Sequence, residues 1–255
     1  MAELLVVIAI IAILATLLLP TLANAKANSK RVACMQNLKQ LEAASQMYVT
    51  DSLGILVPNL DEQLPPPAGL ASTNSWVYGN MKSLIDATNL PEIMSGLLYP
   101  YIPQTKSYRC PSDITEDAGA DRDRSYAMNA WIGSDEMETL YSEQSYRVFL
   151  KESDLAASSP ASTWVFIDEH PMTLADGWFL VTMNDSKPFS RLPASRHQNG
   201  YCLNFADGHV ELHHLFTPQA QVPESQSQAF AIGGLSNIVV FNSDWISLKQ
   251  ITTSP

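Results

Sequence analysis

Positive charge is scarce in this 255-residue chain: 15 Lys and Arg stand against 26 Asp and Glu, for a formal net charge of −11 and a pI near 4.8. Affinity for a polyphosphate backbone comes from displacing counterions with Lys and Arg, so no nucleic-acid partner is expected. Glycine is sparse as well, at 11 residues, while 46% of the chain is hydrophobic and 16 prolines punctuate it. That balance excludes collagen-like and wholly disordered chains and leaves a globular body with many turns. There is no G-x-S-x-G elbow, no Walker glycine loop, no H-E-x-x-H pair and no evident internal repeat, so the chain is not expected to be an enzyme. Its length suits one generous domain, or one domain with an appendage.

What the sequence has in abundance is a single apolar run. Residues 4–15 read LLVVIAIIAILA, and Leu17, Leu18 and Leu19 follow Thr16 before Pro20, so one weakly polar residue interrupts sixteen positions. As a helix this reaches roughly 24 Å against a hydrocarbon core of roughly 30 Å. As a signal peptide it lacks a basic n-region, since Met1, Ala2 and Glu3 precede it, although Leu22-Ala23-Asn24-Ala25 offers an A-x-A cleavage site. The residues beyond Pro20 favour retention. Met35, Leu38, Leu41, Ser45 and Tyr48 recur at three- and four-residue steps, with Asn37, Lys39, Gln40 and Glu42 between them, the stripe of a helix lying on a core. One helix therefore begins in a membrane and ends on protein, kinked at Pro20, stopped by Asp51 and Gly54, and barred from resuming by Pro58. Three parts are expected: a transmembrane half of the helix at 1–22, an amphipathic half at 23–53, and a globular domain at 54–255. Residues 1–50 hold four Lys or Arg and two acids, a balance of +2, which leaves −13 for the other 205.

Within the globular part, SYRVFL at 145–150, TWVFID at 163–168, GWFLVT at 177–182 and NIVVF at 237–241 read as strands of an antiparallel sheet. PPPAG at 65–69, Ser158-Ser159-Pro160 and TPQAQVPESQSQ at 217–228 read as loops. In YCLNFADGHVELHHL at 201–215, Asp207-Gly208 between two alternating runs predicts a two-residue type I′ hairpin. Phe205 then opposes Val210 and Leu203 opposes Leu212 on a core face, leaving Cys202, Asn204, His209, Glu211 and His213 outside. His209, Glu211 and His213 are zinc-type ligands, on what otherwise reads as a polar strand face. In DITEDAGADRDRS at 113–125, Asp113, Glu116, Asp117, Asp121 and Asp123 supply the oxygen ligands that calcium takes, but without EF-hand spacing and with Arg122 and Arg124 beside them. A solvated acidic loop is the expectation, and neither a metal nor another cofactor is called for. His197 with Asp207 as a general-base pair lacks a nucleophile.

The stretch ELLVVIAIIAILATLLLPTLANAKANSKRVACMQNLKQL resembles the N-terminus of type IV pilin-like proteins, including the pseudopilins of type II secretion. His197, followed by nine residues and then Asp207-Gly208, resembles the H-X9-DG motif of one branch of prepilin-like proteins. Cys110-Pro111-Ser112-Asp113, Ser125-Tyr126-Ala127-Met128-Asn129 and the strand ending at Asp168 look like the same branch. The resemblance implies an α+β, pilin-like fold, with a long N-terminal helix packed on an antiparallel sheet. It implies a structural subunit of a type IV pilus-like or type II secretion pseudopilus filament, assembled through that helix. Glu3 matches the family's glutamate, which pairs in hydrocarbon with the terminal amine of a neighbouring subunit, and Pro20 matches its kinking proline. Cys34 and Cys110 match family positions and form the implied disulfide pair, with Cys202 spare.

The implied partners are copies of the chain, other pilin-like subunits, the inner membrane before assembly, and a prepilin peptidase if a leader exists. The implied location is the bacterial inner membrane, single-pass, with the domain outside the cytoplasm, and then an extracytoplasmic filament. Where the family has a basic leader ending in Gly, only Met1 and Ala2 stand here, so a truncated or misassigned start is expected, or else an unprocessed anchor. Lys26, Lys30, Arg31 and Lys39 behind the run argue for a cytoplasmic domain, a conflict that a basic leader removes. A reading from another class is a membrane-tethered extracytoplasmic binding module that does not polymerise, with its site on the hairpin face or around Trp76 and Trp131.

Overall fold

The apolar run and the amphipathic stripe form one element: α1, Ala2–Asp51, is a 50-residue helix unbroken across Pro20. It opens a computed structural model that describes residues 2–60, 74–83, 85–117, 120–135, 137, 146–183, 191–217, 221 and 243–254. Cys34, Leu38, Leu41, Ala44 and Val49 of α1 are buried, while Val32, Lys39 and Met47 face out. The helix ends where the chain turns left-handed at Leu53 (φ 56) and Gly54 (φ 85). Ser52 N donates to Tyr48 O at 2.8 Å and Gly54 N to Val49 O at 2.9 Å, so the last carbonyls are capped and Leu53 takes the position that glycine usually fills.

Against this helix lies a five-stranded sheet of β3 (Tyr126–Asn129), β4 (Trp164–Asp168), β5 (Trp178–Phe179), β6 (Gly200–Phe205) and β7 (Val210–His214), in the order β5-β3-β4-β6-β7. β1 (Glu116–Asp117) and β2 (Ala120–Asp121) make a separate small hairpin. The class is α+β as expected, but the sheet is mixed: β5 pairs in parallel with β3, and the other pairings are antiparallel. The cause is edge availability. β6 occupies one side of β4, so the chain reverses after Asp168 and returns along the free edge of β3.

Both faces of the sheet are covered. Phe166, Cys202, Tyr126 and Met128 pack with Cys34, Leu38 and Leu41 of α1 on one side. Trp164, Ile167, Leu203, Phe205 and Trp131 pack on the other, joined by Trp245 and Leu248 of the C-terminal helix α4 (Ser243–Gln250). A register shift in β4 between Trp164 and Ile167 puts Val165 and Phe166 in the same helix-side cluster and removes Phe166 N from the ladder. Asn204 Oδ1 accepts that N–H at 2.7 Å, while Asn204 Nδ2 donates to Leu38 O of α1 at 3.0 Å and to Glu42 Oε2 at 3.4 Å. One buried amide thus repairs the bulge and ties the helix to the sheet.

The two-residue hairpin is not what forms. Cys202 pairs with Leu212 and Asn204 with Val210, one residue out of the expected register. Gly208 N donates to Phe205 O at 2.8 Å and Phe205 N to His209 O at 2.9 Å, enclosing the three-residue loop Ala206-Asp207-Gly208. Of these three residues, Gly208 alone has positive φ, at 89, as in a type I turn closed by a glycine bulge. The slip of one residue exchanges the faces. Cys202 and Asn204, expected outside, are buried toward α1, and Leu203 and Phe205 share the opposite face with Glu211 and His213. Because both faces of β6 are buried, hydrophobic alternation carried no information about register.

Other expectations fare unevenly. SYRVFL contributes an isolated bridge from Phe149 to Ile132 rather than a strand, and GWFLVT is strand only at Trp178–Phe179. PPPAG and NIVVF lie outside the described residues. The short helices α2 (Leu90–Met94) and α3 (Glu152–Ser158) arise in segments for which the sequence suggested no element.

Gly133 sits at φ +70, and a Cβ there meets Val57 O at 2.0 Å, whereas a Cβ on Gly208 meets nothing within 4 Å. Gly133→Ala is therefore expected to cost about 2–3 kcal/mol of stability through strain plus backbone displacement. Gly208→Ala is expected to cost only about 1 kcal/mol, for the left-handed conformation alone. Thermal unfolding of the two variants in detergent measures the gap.

Candidate functional site

Two features of α1 set what this molecule can do. The first is its N-terminal half, where Leu4, Ile8, Ile11, Leu14, Leu18 and Leu22 are all exposed and none packs on the domain. The helix Val6–Asp51 contains a window long and apolar enough to cross a membrane. Pro20 lies within it. Glu3 falls in the helical run, but its side chain lies outside the described residues.

The second feature is the knot that holds the other half of α1 to the domain. Four segments far apart in sequence converge there: Cys34 from mid-helix, Cys110 after the turn at Thr105–Tyr108, Asp168 at the end of β4, and His197 in the turn before β6. One donor atom from each lies within 4.8 Å of all the others, and all four residues are buried. Cys110 Sγ is 3.4 Å from His197 Nε2, His197 Nε2 is 3.5 Å from Asp168 Oδ2, and Cys34 Sγ is 3.8 Å from Asp168 Oδ2. Gln198 and Asn199, at φ 58 and 59, turn the chain so that His197 N bonds Gly200 O at 3.1 Å, which fixes the imidazole's approach.

Around these four lies a supporting set. Arg196, its side chain wholly buried, pairs with Asp168 Oδ1, with Glu169 O at 3.0 Å and with Asp113 Oδ2 at 3.1 Å. Ser125 Oγ donates to Asp113 Oδ2 at 2.6 Å, and Tyr126 OH donates to Cys34 Sγ at 3.3 Å. Burial pulls the His197 imidazole down, but the bonds to Asp168 and Cys110 and their charges outweigh it and lift its pKa to about 9. Burial pushes the Cys110 thiol well up. For Asp113, burial is overcome by Arg196, Ser125 and Thr115, and its pKa falls.

Several residues singled out in the sequence come together here and others do not. Cys34 and Cys110 are neighbours, as unbonded thiols, and Cys202 is a third buried thiol. His197 joins them, whereas Asp207 stays at the hairpin tip, accepting from His209 N at 3.1 Å and Nδ1 at 2.5 Å. The two are not a catalytic pair. His209, Glu211 and His213 share a face and bond along it, with His213 Nε2 at 2.7 Å from Glu211 Oε2, but they bring no three ligand atoms together. Asp121 is bound by Arg109 at 2.6 Å, and burial raises the pKa of Asp123. Neither belongs to a ligand group among the described residues, and the Asp117 side chain lies outside them. Sequence reasoning missed Asp168, Arg196 and Tyr126 as partners. Asp168 had left a trace, as an acid closing an otherwise apolar strand. No family model, no curated protein and no solved structure matches the chain.

A buried carboxyl nearby makes stability depend on pH. Burial lifts Glu169 from 4.5 to about 7, against the lowering pull of Arg191 at 3.7 Å. Since the folded chain holds this proton more tightly than the unfolded chain, the group weakens folding increasingly as pH rises from 4.5 to 7, and at its full cost above that. Glu169 alone is expected to lower the unfolding free energy by about 2 kcal/mol between pH 5 and pH 8, and Glu169→Gln to remove that share of the slope, leaving the share of Glu42, which burial also lifts to about 7. Melting curves of both chains across pH provide the check.

Proposed function

We propose that this chain is a structural subunit of a type IV pilus-like or type II secretion pseudopilus filament. The observation that carries this reading is the division of one continuous helix: its first half presents exposed apolar side chains at Leu4, Ile8, Ile11, Leu14, Leu18 and Leu22, and its second half is locked into the domain. An apolar helix of this kind is stable in lipid or among the like helices of other subunits, and transfer between the two is the assembly step. The domain must follow the helix, because Cys34, Leu38 and Leu41 hold them together as one body. Glu3 sets register by pairing with a neighbour's terminal amine, since an unpaired charge is costly in hydrocarbon. The acidic domain lies outside the cytoplasm and faces outward in the filament, and no catalysis is assigned to it.

Glu3→Ala leaves the neighbour's amine unpaired in hydrocarbon, a cost of ~3 kcal/mol, so filament yield in the sheared fraction is expected to drop roughly a hundredfold while membrane insertion is unchanged. Equal filament yield from both chains defeats the role of Glu3. A chain that stays in the membrane in both cases is a tethered module instead.

A further inference from the structure

We propose that Cys34, Cys110, Asp168 and His197 form a tetrahedral binding site for a zinc-type divalent ion that staples α1 to the domain. Zinc bonds of about 2.0–2.3 Å to nitrogen, oxygen and sulfur place neighbouring donors of a tetrahedron about 3.3–3.8 Å apart. Three edges of this cluster measure 3.4, 3.5 and 3.8 Å. A disulfide between Cys34 and Cys110 accounts for two of the four groups and leaves the convergence of an imidazole and a carboxylate on the same point without a purpose.

The donor set selects the ion. Two sulfurs, one imidazole nitrogen and one carboxylate oxygen suit zinc over the hard cations calcium and magnesium, which take oxygen. All four positions come from protein, and all four residues are buried, so the site is of the closed, structural kind and leaves no place for a substrate.

The surroundings are those of a metal centre. Three of the ligands have a group that orients them: Arg196 holds the second oxygen of Asp168, Tyr126 OH donates to Cys34 Sγ, and the backbone of His197 is tied to Gly200. Two thiolates, one carboxylate and a dication sum to −1, which the buried Arg196 guanidinium opposes. A small crevice of about 40 Å³, lined by Asn28 and Arg31 of α1 with Ser112, Arg196 and His197, borders the cluster at His197. Four points of chain otherwise joined by packing and hydrogen bonds become one unit, at the place where force on the filament helix reaches the domain.

The test is a titration of the full chain, detergent-solubilised, reduced and stripped with a chelator, with cobalt(II) as the probe. One equivalent is expected to give the intense visible absorption of tetrahedral cobalt and a thiolate-to-cobalt charge-transfer band, both erased by zinc(II). Cys110→Ser is expected to lose much of the charge-transfer band, and Asp168→Asn, which preserves shape, to weaken binding at least tenfold. Cys202→Ser should bind as the parent chain does. Should cobalt give no thiolate band on the reduced parent chain, or should Cys202→Ser lose the band that Cys110→Ser keeps, the site is overturned. The parent titration stands alone if a ligand variant does not fold.

Discussion

Replacing Arg196 with Met is expected to lower the unfolding free energy by about 3–5 kcal/mol, a large share of the stability of a domain this size. The guanidinium lies between two buried carboxylates, at 3.1 Å from Asp113 Oδ2 and bonded to Asp168 Oδ1, with Glu169 O as a third acceptor. Removing it leaves two buried negative charges without their cation, and that uncompensated burial is what makes one-sided removal so costly. Asp113 keeps Ser125 Oγ and Thr115 N, and Asp168 keeps the His197 imidazole at 3.5 Å, but each loses the guanidinium they share. Arg196→Lys is expected to recover only part of it, because an ammonium cannot reach two carboxylates and a carbonyl with the geometry of a planar fork. Thermal or denaturant unfolding of the solubilised chain reads the difference, and a change under about 1 kcal/mol for Arg196→Met contradicts the pairing.

Asn204→Ala is expected to cost about 3–4 kcal/mol, through a lost buried acceptor, two lost donors and a small cavity. The substitution strands Phe166 N, which the strand bulge has already taken off the ladder, and removes the bonds to Leu38 O and Glu42 Oε2. Its signature is regional. Hydrogen exchange should accelerate at Phe166 and through the buried half of α1 before it changes in β7. Asn204→Asp keeps the acceptor for Phe166 N but sets a carboxylate 3.4 Å from that of Glu42, so it should be no better than Ala at neutral pH and improve as pH falls.

Much of this architecture was legible in the chain, for reasons that differ by element. α1 was readable because both its signals are local: an apolar run without charge, then a stripe at helical spacing whose members Leu38, Leu41 and Ser45 are buried. β4 was readable as a β-branched and aromatic run. The register of β6 and β7 was not, because a strand covered on both faces shows no alternation and the turn pair Asp207-Gly208 fits two hairpins that differ by one residue. Parallel β5 was invisible because it depends on which edge was free when the chain returned.

The cysteine, aspartate and histidine cluster was half legible. Cys34, Cys110 and His197 stood out one by one, but their convergence is a property of the tertiary fold, set by the placement of four segments up to 163 positions apart, from Cys34 to His197. Sequence spacing carries no trace of such a distance. The hairpin histidines show the converse. Their regular spacing offered zinc-type ligands on what read as a polar strand face, and the structure spends them on bonds to Asp207 and Glu211.

The central claim is that the exposed half of α1 meets the same segment of other subunits. Ile8 is 52% exposed, while Cys34, Cys110 and Cys202 are fully buried, so a cysteine placed at Ile8 is the group a thiol crosslinker reaches. Treatment of Ile8→Cys cells with a membrane-permeant bismaleimide, followed by denaturing electrophoresis of the sheared and membrane fractions, tests the claim directly. Assembly through α1 requires a ladder of covalent multimers in the sheared fraction that disappears when Glu3→Ala is added. A single monomer band confined to the membrane fraction contradicts it.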